Sequence, residues 1–368
     1  MHPLQVLFAF VALVVAGPAP RSTSCTGTIS SFSDVASAVK CTTVNINAFT
    51  VPAGSTLNLA LLDGTTVNML GDVTFGQLAW AGPLFQISGK GVTFNGNGHT
   101  FNGNGPFYWD GLGGNGGITK PAPMMTIQMS GTFQNVKVLN SPARVYSVHN
   151  PAALVMQGLI IDDSAGDQPN SQSNGTAAGH NTDGFDVGTN DLTIRNSAIM
   201  NQDDCLAVNK GSNILFTNNT CSGGHGISIG SISTGATVNG VVITNNKIVN
   251  NDQALRIKTK VDATGASVNN ITYSGNTATG MRRFGVIIDQ ASVASYPSTL
   301  ATPGNGVKIS AVDFVGTQNN IAVASSAQRV AVNCGSGSCT GTWDWSALTV
   351  TGGKAGKINY SGITGFTQ

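Results

Sequence analysis

The chain has 368 residues, with 18 basic and 17 acidic side chains and a formal net charge of +1. Charged residues make up 10% of it, against roughly 25% in an ordinary soluble domain, and its 47 glycines are near twice the usual share of roughly 7%. With 40% hydrophobic residues it is no disordered polyion, and at +1 it has no global field that would draw nucleic acid or an acidic membrane. Runs at helical spacing are scarce, which leaves a Gly- and Asn-rich β protein.

The first apolar run, Leu4 to Ala16, suits a signal-peptide core and is shorter than the ~20 residues of a membrane span. Small residues at Ala16, Gly17 and Ala19 supply a cleavage site. Residues 1–20 are therefore read as a signal peptide and 21–368 as one mature domain, secreted and not membrane-bound. Six cysteines follow in three close pairs: Cys25 with Cys41, Cys205 with Cys221, and Cys334 with Cys339. An even count at short spacings reads as three local disulfides of an oxidising compartment. No CxxC or CxxH spacing accompanies them, so zinc is excluded. Sequons at Asn174, Asn218, Asn270 and Asn359 are glycosylation candidates. Between the first two cysteines, Ser33 to Lys40 predicts a short helix with Ser33 as its cap, placed over the open end of the fold.

From residue 136 onward one phrase recurs: a few alternating apolar residues, then Asn or Asp, then a turn. Its terminal positions are Asn140, Asp163, Asn196, Asn219, Asn246 and Asn276. Self-similarity at this period, with short period-2 strands and no helix of three turns, predicts a parallel β-helix of roughly ten coils. The stacked Asn would form a ladder at one corner. An antiparallel sandwich would need two-residue hairpins and gives no reason for the steady step. The stretch from Ala165 to His180 interrupts the repeat and reads as a surface loop.

Three reactive segments ride on the ladder: His180-Asn-Thr-Asp-Gly-Phe-Asp186, Asn201-Gln-Asp-Asp-Cys205 and Gly223-Gly-His-Gly226. Asp183 to Asp204 is 21 residues, as is Asp204 to His225. Steps of one rung stack the side chains on one face, with strands roughly 4.8 Å apart. A coil further on, Arg256 and Lys258 share the outward face while Ile257 points to the core. Each part alone has a bland reading as a turn former or a solvated cation; in register, in a chain this poor in charge, they form a column of three carboxylates, an imidazole and two cations. Crowded carboxylates raise one another's pKa, so one stays protonated while another stays a base, as acetal hydrolysis requires. The cations suit the carboxylate of a uronic acid.

Asn181-Thr-Asp183, Gln202-Asp-Asp204, Gly224-His-Gly226 and Arg256-Ile-Lys258 resemble, in order and spacing, the four signature motifs of the polygalacturonases of glycoside hydrolase family 28. The resemblance extends to the CGSGSC segment at Cys334 to Cys339. It implies a right-handed parallel β-helix that hydrolyses α-1,4-galacturonan with inversion, using neither metal nor cofactor. Carried over by position, Asp203 is the general acid and Asp183 and Asp204 activate water. His225 tunes the acid, Arg256 and Lys258 hold the substrate carboxylate, and Asn181, Gln202 and Gly224 bind or orient. One rung of separation is nearer the roughly 5–5.5 Å of a retaining pair, so inversion rests on the resemblance and not on spacing. The family commonly places a substrate-contacting Tyr where this chain has Ser292, with Tyr296 four residues on, and it has a second C-terminal disulfide that is missing here.

The implied partner is polygalacturonate or pectin, with proteinaceous polygalacturonase inhibitors as further partners and a monomer as the working state. Exo-acting, rhamnogalacturonan and xylogalacturonan hydrolases and a weakened pectin-binding paralogue are alternatives on the same fold. A Ca²⁺-dependent lyase is disfavoured by the cations beside the acids.

Overall fold

The structure is a computed structural model that describes residues 24–292 and 301–368. The proposed signal peptide and Tyr296 lie outside the described residues. All the paired strands run parallel, and 29 of them form one continuous sheet wound into a right-handed β-helix. Along one face ten rungs stack in register: Leu57, Phe85, Met125, Tyr146, Phe185, Leu206, Ile227, Leu255, Val286 and Val330. Each side chain is essentially buried, so every coil covers the apolar floor of the next.

Five strands of this face carry the site: β1 (Tyr146–Val148), β2 (Phe185–Gly188), β3 (Asp204–Thr217), β4 (Gly226–Ile232) and β5 (Gln253–Lys260). Period 2 sends Phe185, Leu206, Ile227 and Leu255 inward, and their neighbours Asp186, Ala207, Ser228 and Arg256 outward in one column. At the first end, Asp34 accepts from the Ser31 amide at 2.8 Å and fixes a 3₁₀ turn, Phe32–Asp34, that runs into a one-turn helix, Val35–Ala38. The helix is therefore shorter than Ser33 to Lys40, and Ser31, not Ser33, stands at the cap. At the other end Trp343 and Trp345 are fully buried, with the tilted rings of Tyr360 and Phe366 packed on them at centroid distances of 4.5 and 5.8 Å. These rings close the last coil where the second disulfide is missing.

All three predicted disulfides form. Cys25 is bonded to Cys41, Cys205 to Cys221, and Cys334 to Cys339. The bridge from Cys41 ties the capping helix to the first strand segment, and the bridge from Cys221 ties the strand of the acid pair to the next coil. The Asn ladder is real, but the six predicted positions do not make one column. Asn219, Asn246, Asn276 and Asn319 are the ladder: each Oδ1 from Asn246 onward accepts the amide of the Asn one rung below, at 2.9 to 3.1 Å. Asn196 precedes it by one residue in a left-handed turn at φ 54°. Asn140 and Asp163 stand at a different corner, after the strand pair Lys137–Leu139 and Ile160–Asp162. Both corners end in Asn for local reasons, so spacing alone merged them.

Candidate active site

On the outward side of β2–β5 the acids lie at the strand entrances. Asp204 is completely buried at the first position of β3. Its Oδ1 accepts from Ser228 Oγ at 2.8 Å and from Arg256 Nη2, and its Oδ2 accepts from Lys258 Nζ at 2.7 Å. Both oxygens are thus taken up by the cations a coil or two away. Arg256 is 2% exposed and also donates from Nε to Ser228 Oγ, so of the two cations it is Lys258 that borders the groove.

Asp203 lies beside Asp204 and is 6% exposed. Its Oδ1 meets His225 Nδ1 at 2.9 Å, and its Oδ2 accepts from Asn181 Nδ2 at 3.0 Å. Burial by itself raises an acid, but the charge and hydrogen bond of His225, with Lys258 and Arg256 behind, outweigh it and hold Asp203 below the ordinary carboxylate range. Asp183 behaves oppositely. Burial, then the charges of Asp203, Asp186 and Asp204, drive it well above that range. The crowding thus drives the proton affinities of the carboxyls apart, as the composition of the column predicts, with Asp183 raised and Asp203 lowered in the free protein.

The remaining motif residues hold this arrangement. Gln202 is tied at both ends of its amide, accepting from Thr182 Oγ1 and donating to the Asp163 carbonyl and to Asp167 Oδ1, each at 2.8 Å. A Cβ at Gly224 would sit 2.1 Å from the Asp203 carbonyl, so only glycine lets the His225 turn pass the acid strand. The backbone amide of Gly114 donates to Asn181 Oδ1 at 3.0 Å and fixes which end of that amide faces Asp203. The Ala165 to His180 stretch packs on the 105–115 turns through Gly111–Ala178 and Asn170–Trp109 hydrogen bonds. It is the surface loop that the sequence predicts, and it also forms a wall of the groove. Two adjoining hollows of about 460 and 620 Å³ result, the first bordered by Asp183, Asp186, Asp204 and Lys258, the second by Gln202, His225, His180 and Arg282.

Two site residues escaped sequence reasoning. Asp186 follows Asp183 by three residues and points into the same groove, where burial outweighs the Arg144 cation 3.5 Å away and raises it to about 6. Asp252 lies 3.8 Å from His225 Nε2 and is bracketed by Arg282 at 2.8 Å and Arg283 at 3.2 Å. Its signal was present: Asp252 follows His225 by 27 residues, the step that separates Asn219 from Asn246. Asp203, Asp204 and His225 offer ligand atoms within 4.8 Å of one another, yet Asp204 has spent both oxygens on cations, which disfavours a divalent ion there.

A column of this kind has relatives. The family model of glycosyl hydrolases family 28 matches residues 41–364. The chain belongs to glycosyl hydrolases family 28. Endopolygalacturonase I of Aspergillus aculeatus is 40% identical to it over 96% of each chain, and endopolygalacturonase 1 of Colletotrichum lindemuthianum is 42% identical over 95% and 94%. Among solved structures, endopolygalacturonase I from Stereum purpureum, complexed with two galacturonates, superposes with a TM-score of 0.85 at 48% identity, covering 92% of this chain and 98% of its own. The family 28 match spans the wound sheet from residue 41 on, and the four motifs converge on its groove.

Proposed function

We propose that this family 28 chain is a secreted endo-polygalacturonase that cuts α-1,4-galacturonosyl bonds by single displacement. The observation that carries the reading is the groove itself: three acids and a histidine share it with Lys258, a cation placed for a uronate carboxylate. Endopolygalacturonases over nearly the full length, and a galacturonate-bound structural relative, support the same substrate.

In the reaction the bond from C1 to the leaving oxygen breaks, and that oxygen takes the proton of Asp203. Water attacks C1 from the opposite face and gives up its proton to the pair of Asp183 and Asp204. The cluster favours its proton on Asp183 over Asp203. Before the bond breaks that proton moves from Asp183 to Asp203, which loads the acid and frees Asp183 to accept from water. His225 Nδ1, 2.9 Å away, holds Asp203 in place. Binding an anionic substrate adds negative charge to the cluster and raises the proton affinity of Asp203, which favours that transfer. Within the second pair Asp204 is a fixed charge held by two cations, and Asp183, once ionised, is the stronger proton acceptor. Lys258 shifts from Asp204 towards the substrate carboxylate, while Arg256 keeps Asp204 charged and in place. Asn181, Gln202 and Gly224 orient the acids.

The N-terminal 20 residues fit export, and the three disulfides fit an extracellular life. Asn174, Asn218 and Asn270 are exposed acceptors for glycan. Asn359 is exposed as well, with its amide bonded to both backbone groups of Cys334, at 2.8 and 2.9 Å. The working state is a monomer, open to proteinaceous inhibitors at the groove.

The test is reducing-end release from polygalacturonate, followed together with viscosity and absorbance near 235 nm. A hydrolase acting within the chain drops viscosity ahead of reducing ends and leaves the absorbance flat. Rising absorbance would mean elimination, and no release would end the enzyme reading.

A further inference from the structure

The groove continues past the acids. Beyond Arg144 lies a third hollow of about 450 Å³, bordered by Arg144, Ser147, His149, Gly188, Lys210 and Ser233. Its floor follows from the register. Val148, Val187 and Val208 face the core on successive rungs of β1, β2 and β3, so the residues just after them turn outward. Those residues include His149 and Gly188, and across a bulge Gly188 pairs with Lys210. The middle rung of this triplet therefore carries no side chain. A Cβ there would stand 3.2 Å from the His149 ring and 3.4 Å from Lys210 Cε. Glycine there lets the His149 ring and the Lys210 stem come close over the backbone of the middle rung.

The charges around it are unequal. His149 and Lys210 are exposed, and His149 Nε2 lies 2.9 Å from Ser147 Oγ. No carboxylate pairs with Lys210 among the described residues, and the same holds for Lys260, which borders the neighbouring hollow of the acids. The only acid bordering the hollow is Asp186, already paired with Arg144 at 3.5 Å. With Arg144, His149 and Lys210 gathered around one open hollow, the positive rim is placed for an anion carried on a ring.

We propose that Gly188 is the floor, and Lys210 with His149 and Arg144 the rim, of an outer subsite that takes a free galacturonate carboxylate of the chain being cut at the acids. This rests on the polygalacturonase reading above. A methyl-esterified residue has no charge to offer Lys210, so the subsite also selects unesterified stretches of pectin.

Defined oligogalacturonates from trimer to hexamer test it, using the full chain. With Lys210→Ala the ratio of kcat/KM for hexamer over trimer falls about tenfold, as loss of one charge-assisted contact allows. Lys210→Arg restores the ratio and Lys210→Glu lowers it further. Raising the salt shrinks the difference. A length-independent change, or equal ratios for Ala, Arg and Glu, overturns the subsite. If the wild-type chain cleaves no oligomer, the polygalacturonase reading fails on its own. Calorimetric binding of hexagalacturonate to wild type and Lys210→Ala then decides the subsite: weaker binding by the variant supports it, and equal affinities overturn it.

Discussion

Two columns of polar side chains run up this β-helix, and they obey opposite rules. In the ladder of Asn219, Asn246, Asn276 and Asn319, each neutral amide bonds backbone and the next amide, and nothing is left over. In the column of Asp183, Asp203, Asp204, His225 and Arg256, charges satisfy one another, and Asp183 is displaced far from its ordinary pKa as the remainder. The same stacking of rungs builds both. The difference is whether the stacked group is satisfied within its own column, which gives stability, or held under tension by its neighbours, which gives chemistry.

That contrast can be broken most sharply at Asp204. Asp204→Asn leaves the buried Arg256 and the half-buried Lys258 without their carboxylate, so it should abolish hydrolysis and cost roughly 3–5 kcal/mol of stability. Activity assays and denaturant unfolding check the two losses. Asn246→Ala should give only the second. It strands the Asn219 amide and the Phe216 carbonyl, a cost of roughly 2–4 kcal/mol, with kcat/KM unchanged in the surviving folded protein. A comparable kinetic defect would mean the ladder also shapes the site.

The ladder and the catalytic column were legible to different depths in the sequence. Alternation fixed the inward set, because a buried Phe185 or Ile257 leaves the neighbouring position nowhere to go but out. Spacing near 21 put Asp183, Asp204 and His225 on consecutive rungs. It did not reveal that Arg256 and Lys258 would close on Asp204, because side-chain reach across 52 and 54 residues is set by burial, not by period. Nor did it reveal Asp252, whose rung carries a longer return. Asp186 lay in plain view in the HNTDGFD segment, but a further acid there reads as solvated until Arg144 and the groove are in place.

A smaller effect is expected where the charged column touches its support. Asp252→Asn keeps the shape but weakens the hold on His225 Nε2, so kcat should fall about tenfold and the pH profile should shift, while KM changes less. A fall in KM and kcat together, with an unmoved profile, would make Asp252 a packing residue.

The smallest effect is a pH dependence of stability. Asp163 is fully buried, and burial raises its carboxyl well above the ordinary value despite the Ser141 amide on Oδ1. Below about pH 4 it is neutral folded or unfolded and costs nothing. As pH rises, the unfolded chain ionises first, so stability falls until the folded acid ionises in turn. Asp163→Asn should remove this term. Its Tm should match wild type near pH 4 and exceed it by a few degrees near neutrality. A gap that opens on the acid side instead would reverse the assignment.

The central claim is that the charged column is one hydrolytic site whose proton passes through Asp203. It is tested most directly by the turnover of polygalacturonate by Asp203→Asn, measured at a temperature where calorimetry shows both proteins folded. The predicted result is a loss of about 10²–10⁴ in kcat. Turnover equal to wild type by the folded variant would contradict it.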